Sequence, residues 1–163
     1  MIRILILILT VVFSAGLLFV NIYTSMIDAV SWGSDIPASI QTARDYFKVV
    51  NPGSFFRIFS PANQILTLVA LIVCWKADKK IRLFIGLALL FAIATDVFTF
   101  SFFYPRNEIM FNNPIDENLD AIKKAWSEWS TMNWLRSAIV LANLSFDFAA
   151  LLRLVKVEKL AKG

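Results

Sequence analysis

Histidine is missing from this chain, and cysteine occurs once, as Cys74. The first absence removes the commonest metal ligand and general base together. A haem, zinc or non-haem iron centre would have to be assembled from Asp, Glu, Met or the single Cys, and the sequence holds no such cluster. No metal and no cofactor are therefore expected. The lone cysteine leaves no partner for an internal disulfide or a thiol redox pair. Strict alternation of apolar and polar residues, the mark of barrel strands, is lacking too.

Hydrocarbon fills the space these absences leave. The chain is 58% hydrophobic and carries 15 Phe, and its mean hydropathy is +0.68. Four continuous apolar stretches, at about 2–28, 57–75, 81–104 and 132–155, approach or exceed the ~20 residues a helix needs to cross hydrocarbon. With 163 residues the length prior allows one domain. The expected fold is all-α, a single transmembrane domain over 1–163 built as an integral membrane four-helix bundle. The start of the chain, with Arg3, an apolar run and Ser14-Ala15-Gly16, resembles a signal peptide. Its apolar run continues through Leu17-Leu18-Phe19-Val20, which makes a full span and a first helix.

Charge orients the spans. One side gathers nine basic residues (Arg3, Lys76, Lys79, Lys80, Arg82, Arg153, Lys156, Lys159, Lys162) against Asp78 and Glu158. The other side balances seven basic residues with eight acidic ones. By the positive-inside rule the protein is a multi-pass cell-membrane protein with both termini cytoplasmic and two long loops outside. The net charge of +4 reflects this topology and implies no nucleic acid. Each long loop shows a short amphipathic helix. In the first, Ala38–Val50 places Ile40, Ala43, Phe47 and Val50 on one face. In the second, Asp116-Glu117 after Pro114 opens a helix running to about Trp129. Trp32, Trp126, Trp129, Trp134 and Tyr104 fall on the outer side, as an aromatic belt would. Ala138, Ala142, Ser145 and Ala149 on helix four, and Ala88 with Ala92 on helix three, form small-residue packing seams.

Polar residues inside the spans carry the functional argument. At ~1.5 Å rise per residue, Asn21, Asn63, Asp96 and Arg136 fall at one depth in the outer leaflet, one on each helix. Lipid cannot satisfy them, so they should face the bundle interior. Asp147 lies deeper with no evident intramembrane partner. The segments at 47–64, 98–110 and 126–137, with Asn21, Tyr23 and Asp28 on helix one, resemble the anthrone oxygenase-like family of small four-helix membrane proteins. The resemblance implies oxidation of anthrones, fused phenolic ketones, to quinones by molecular oxygen without metal or flavin. The family element W…[H/N]-x-x-R matches Trp129, Asn133 and Arg136, with Asn where many relatives carry His. On that reading Asp96 is the base and Arg136 or Arg57 steadies the enolate. Asn21, Asn63 and Asn133 orient substrate, and Tyr104, Trp129 and Trp134 stack on its rings.

The expected partners are membrane lipids and a small hydrophobic ligand, and an oligomer is compatible with the sequence. Two rivals make different demands. A binding or transport protein needs a polar path continuing to Asp147. A structural subunit needs Asp96 paired directly with Arg136 and no cavity beside them.

Overall fold

The computed structural model describes residues 1–115 and 118–160. Helix α1 (Ile2–Tyr23) passes through a π-helical turn (Thr24–Asp28) into α2 (Ala29–Gly33) without a break. The first loop carries α3 (Ala38–Tyr46), and α4 spans Pro52–Val73. Helix α5 (Lys79–Phe98) continues through a second π turn (Thr99–Phe103) into α6 (Tyr104–Phe111), and α7 runs over Leu119–Leu160. Four helices, counting the continued ones as single rods, are long and apolar enough to cross a membrane. No strand occurs among the described residues. Neighbouring spans run antiparallel in a ring in which α1 and α5 each touch α4 and α7.

Local chemistry sets the boundaries. Asn51 is extended, and Pro52 opens α4 where a missing N–H costs nothing. The carboxylate of Asp78 caps α5 by accepting from the Lys80 amide at 2.8 Å. Its other oxygen accepts from Arg153 Nη2 at 3.3 Å, tying the α4–α5 turn to the far end of α7.

Three spans are longer than the apolar runs suggest. The first reaches Gly33, the third Phe111, and the fourth begins at Leu119 and continues for 42 residues, about 63 Å. The helix expected in the second loop is thus the opening part of the fourth span. Its anticipated start at Asp116-Glu117 lies outside the described residues. Polar residues end a hydropathy run without ending a helix when the helix goes on to pack against something else. Here that something is an apolar cap over the bundle. Ala29, Trp32, Ile40, Ala43, Phe103, Met110, Ile122, Ala125 and Trp129 form its core. Trp32 meets Trp129 edge to face at 5.1 Å, and Phe103 meets Trp129 at 5.5 Å. Trp32 and Trp129 are therefore core residues, while Trp134 and Tyr104 are exposed as a belt requires.

Helix α3 buries Ile40 and Ala43 as its periodicity demands, but it stops at Tyr46 and leaves Val50 exposed. It is pinned to the end of α6 by Arg44, whose guanidinium donates to the carbonyls of Met110 (2.7 Å) and Asn113 (2.8 Å). Trp126 Nε1 donates to the Ala29 carbonyl at 2.7 Å.

At the opposite end a second apolar core closes the bundle with Leu7, Ala70, Cys74, Ile81, Ile85, Ala150 and Leu154. The expected seam on α7 faces outward, with Ala138 and Ser145 exposed, whereas Ala88 and Ala92 of α5 are buried. The helix-four seam followed residue size. The observed inward face follows the polar residues, which have nowhere else to go.

Two predictions test this architecture. A Cβ at Gly33 would come within 1.9 Å of the Trp126 ring, so Gly33→Ala should lower the melting temperature by the equivalent of about 1–3 kcal/mol, read in detergent by a thermal shift. The hydrogen bond from Arg153, then that from the Lys80 amide, hold the Asp78 carboxyl below its ordinary value of 3.8. Its stabilising contribution is therefore full above 3.8 and lost as pH falls through the lowered value. Asp78→Asn should flatten that acid limb of the wild-type stability profile.

Candidate functional site

Between the two apolar ends lies a polar interior. The inward face of α7 presents Asn133, Arg136, Ser137, Val140, Asn143 and Asp147, buried at intervals of three and four. A 3.6-residue repeat keeps these on one stripe, and each polar member finds partners on another helix or next to a cavity.

Nearest the cap, Asn21 and Asn133 are reciprocally bonded. Asn21 Nδ2 donates to Ser137 Oγ at 2.7 Å and to the Asn133 carbonyl at 3.3 Å. Asn133 Nδ2 donates to Ser25 Oγ (2.6 Å), Thr24 Oγ1 (3.1 Å) and the Asn21 carbonyl (3.2 Å). Thr24 and Ser25 belong to the first π turn, whose wider coil directs both hydroxyls at α7. Such turns recur at functional sites, and this one serves to clamp α1 to α7.

Deeper, all four helices converge. Asn63 Nδ2 of α4 donates to Asn143 Oδ1 at 3.0 Å. Asn143 Nδ2 donates to the Ala88 carbonyl of α5 (3.1 Å) and to Asp147 Oδ2 (3.2 Å). Ser14 of α1 donates to the same carboxyl oxygen at 2.6 Å. Asp147 is fully buried, and its Oδ1 has no hydrogen-bond partner among the described residues. Ser14 was legible only as part of a small-residue cluster, and Asp147 as a solitary acid. Their pairing spans 133 positions, which helical periodicity cannot see.

Asp96 and Arg136 face each other across a gap. Asp96 is half-buried and held by α4, with Ser60 Oγ donating to Oδ1 and Gln64 Nε2 to Oδ2, each at 2.6 Å. Arg136 is 6% exposed, and no carboxylate lies within ion-pair distance among the described residues. Its buried Nε has no hydrogen-bond partner. Aromatic faces surround the guanidinium instead, Phe103 at 4.3 Å, Phe56 at 5.3 Å and Trp129 at 5.8 Å. Cation–π attraction offsets part of the desolvation cost but gives the Nε–H no acceptor.

A cavity of about 40 Å³ lies between them, lined by Leu17 and Asn21 of α1, Phe56, Ser60 and Asn63 of α4, Ala92, Thr95 and Asp96 of α5 with Thr99 of the π turn that follows it, and Arg136, Val140 and Asn143 of α7. That is room for a few waters. Its half-buried lining residues (Phe56, Ser60, Thr95, Asp96, Thr99) all belong to α4 and to the span that begins with α5, so it nears the surface between those two spans. Asn21 Oδ1, also without a partner, borders the same space.

The structure thus brings Asn21, Asn63, Asp96 and Arg136 to one cavity, each from a different helix. Trp129 stands behind Arg136, and Asn133 is spent on the α1–α7 clamp. Three other sequence candidates lie elsewhere. Arg57 is exposed and donates to the Gly53 carbonyl of its own helix. Tyr104 and Trp134 are 45% and 51% exposed. Phe56, Phe103, Ser60 and Gln64 are the site residues that sequence reasoning did not single out as such. Among the described residues no three His, Cys, Asp or Glu side chains gather as metal ligands would.

The polar path does continue past the cavity to Asp147, and there it meets the closed apolar end around Leu7, Ile85 and Leu154.

The anthrone oxygenase family matches residues 55–145, more than half of the chain. The matched segment contains every cavity-lining residue of α4, α5 and α7. No curated protein matches the chain, and no solved structure does. A family match of that extent over three of the four cavity walls makes this chain a member of the anthrone oxygenase family.

Proposed function

We propose that the protein is a membrane-embedded, cofactor-independent oxygenase acting on a small, flat, hydrophobic ketone of the anthrone class. The observation that carries this reading is Arg136, a guanidinium 6% exposed, boxed by three aromatic rings and without a carboxylate partner among the described residues, beside a cavity whose opposite wall holds Asp96. A buried cation supports a developing oxyanion best when nothing else competes for it.

The chemistry follows from these positions. Asp96 removes one proton from the methylene carbon of the ketone, and the electron pair left behind delocalises onto the ketone oxygen as an enolate facing Arg136. The electron-rich carbon passes electrons to dioxygen and a C–O bond forms, giving a peroxide anion that takes back the proton held by Asp96 and becomes a hydroperoxide. Loss of the second methylene proton, with cleavage of the O–O bond and departure of hydroxide, leaves a new C=O, and that proton joins the hydroxide as water. One substrate and one dioxygen thus give one quinone and one water. The carbon is oxidised, dioxygen is reduced, and both methylene protons end in the water. Surrounding Phe56, Leu17 and Val140 keep bulk water from the enolate.

A cavity of about 40 Å³ is well below the ~300 Å³ at which ligand pockets begin, so a ring system enters only by displacing a wall. The α4 segment from Pro52 to Ser60 is the wall suited to move. Pro61 lies inside α4 and lacks the N–H that would bond the Arg57 carbonyl, which loosens the helix there. In this reading the outer half of α4 swings with its rings Phe55, Phe56 and Phe59 and opens the crevice toward α5.

Purified protein supplied with an anthrone under oxygen should form quinone while consuming equimolar dioxygen. Asp96→Asn should lower kcat roughly 100-fold or more, and Arg136→Met roughly 100- to 1,000-fold. Arg57→Gln, outside the cavity, should retain the wild-type rate. Equal rates for wild type and Asp96→Asn would remove Asp96 as the base.

A further inference from the structure

At the end of the bundle that holds Met1 and Leu160, the α4–α5 turn carries Lys76 and the first turn of α5 carries Lys79, Lys80 and Arg82. No ion pair among the described residues engages any of the four. The one carboxylate of the turn, Asp78, is already taken by Arg153 and the Lys80 amide. This basic cluster borders a shallow groove of about 440 Å³ between α4 and α5, lined by Leu71, Trp75, Lys79, Arg82, Leu83 and Gly86.

The groove is polar at one end only. Lys79 and Arg82 sit at its mouth with Trp75, and the Arg82 guanidinium lies 5.6 Å over the Trp75 ring. Leu71, Leu83 and Gly86 form the apolar part. Gly86 lies seven residues along α5 from Lys79, roughly 10 Å deeper. A Cβ at Gly86 would meet no atom within 4 Å, so the glycine leaves open space there. An indole at the rim with cations beside it is the arrangement expected at a headgroup level, and juxtamembrane Lys and Arg each attract anionic lipid by about 1 kcal/mol.

We propose that this groove is a binding site for one anionic phospholipid. Its phosphate is held between Lys79 and Arg82, with Lys76 and Lys80 adding to the field, and one acyl chain lies over Leu71, Leu83 and Gly86. The site is separate from the cavity near Arg136, being lined by none of the same residues. The proposal rests on the membrane-spanning reading and is independent of the oxygenase reaction.

The test uses the full chain in a non-ionic detergent. Its melting temperature is followed as phosphatidylglycerol, phosphatidylcholine or inorganic phosphate is added, and lipid adducts are counted by native mass spectrometry. Phosphatidylglycerol should raise the melting temperature and give a retained adduct, and phosphatidylcholine and phosphate should do neither. Lys79→Gln with Arg82→Gln should weaken that binding about thirtyfold, whereas Lys123→Gln at the far end should leave it unchanged. Gly86→Leu fills the groove from a position whose Cβ would meet no atom within 4 Å. It should keep the lipid-free melting temperature and lose the phosphatidylglycerol response. Equal responses to both lipids, an equal response to free phosphate, or a full response in Gly86→Leu would each overturn the proposal.

Discussion

Every polar side chain that this bundle buries has to be satisfied by another polar side chain or a carbonyl inside the bundle, because hydrocarbon offers neither donor nor acceptor. That constraint organises the structure more than apolar packing does, since the spans share much the same greasy surface. It explains why α7 turns Asn133, Ser137, Asn143 and Asp147 inward while its alanines Ala138 and Ala142 are left at or near the outside. It also explains the order of the ring. Asn21 and Asn133 join α1 to α7, Asn63 joins α4 to α7, and Asn143 reaches the α5 backbone. Each bond of this kind is modest in a membrane setting, about 0.6 kcal/mol on average. Together they fix the rotation of all four helices, which apolar contacts alone would leave loosely specified.

Within that layer Arg136 stands apart. The Asn and Ser side chains around it bond one another through their donors, and the guanidinium has aromatic faces and a space. Ser60 and Gln64 hold the Asp96 carboxylate on the other side of that space and keep it from closing onto the arginine. A direct ion pair would have been an unremarkable strut. Two charges held apart by their own scaffolds border a cavity instead. The family match over α4, α5 and α7 covers both scaffolds.

The sequence announces the spans and the inward residues because both rest on a strong signal. A continuous apolar run has one outcome in lipid, and an Asn, Asp or Arg inside one has few places to point. The cap was hidden, since Trp32, Phe103 and Trp129 bury themselves in segments whose polar neighbours read as loop. Arg57, Tyr104 and Trp134 looked like site residues because a boundary residue and a pocket residue can share type and depth while differing in rotation about the helix. Phe56 and Phe103 could not be chosen among 15 Phe. The Ser14–Asp147 contact joins helices at opposite ends of the chain, and one sequence without covariation carries no trace of it.

The apolar cap has a consequence for kinetics. It closes one end of the bundle, and among the described residues the cavity nears the surface between α4 and α5. A molecule reaching Arg136 therefore arrives from the hydrocarbon, at a concentration set by its partition coefficient. Dioxygen and flat aromatic ketones both partition into hydrocarbon, so the two would meet already enriched. A Michaelis constant expressed per volume of buffer would then change with the amount of lipid in the assay, and only one expressed per volume of membrane would belong to the protein.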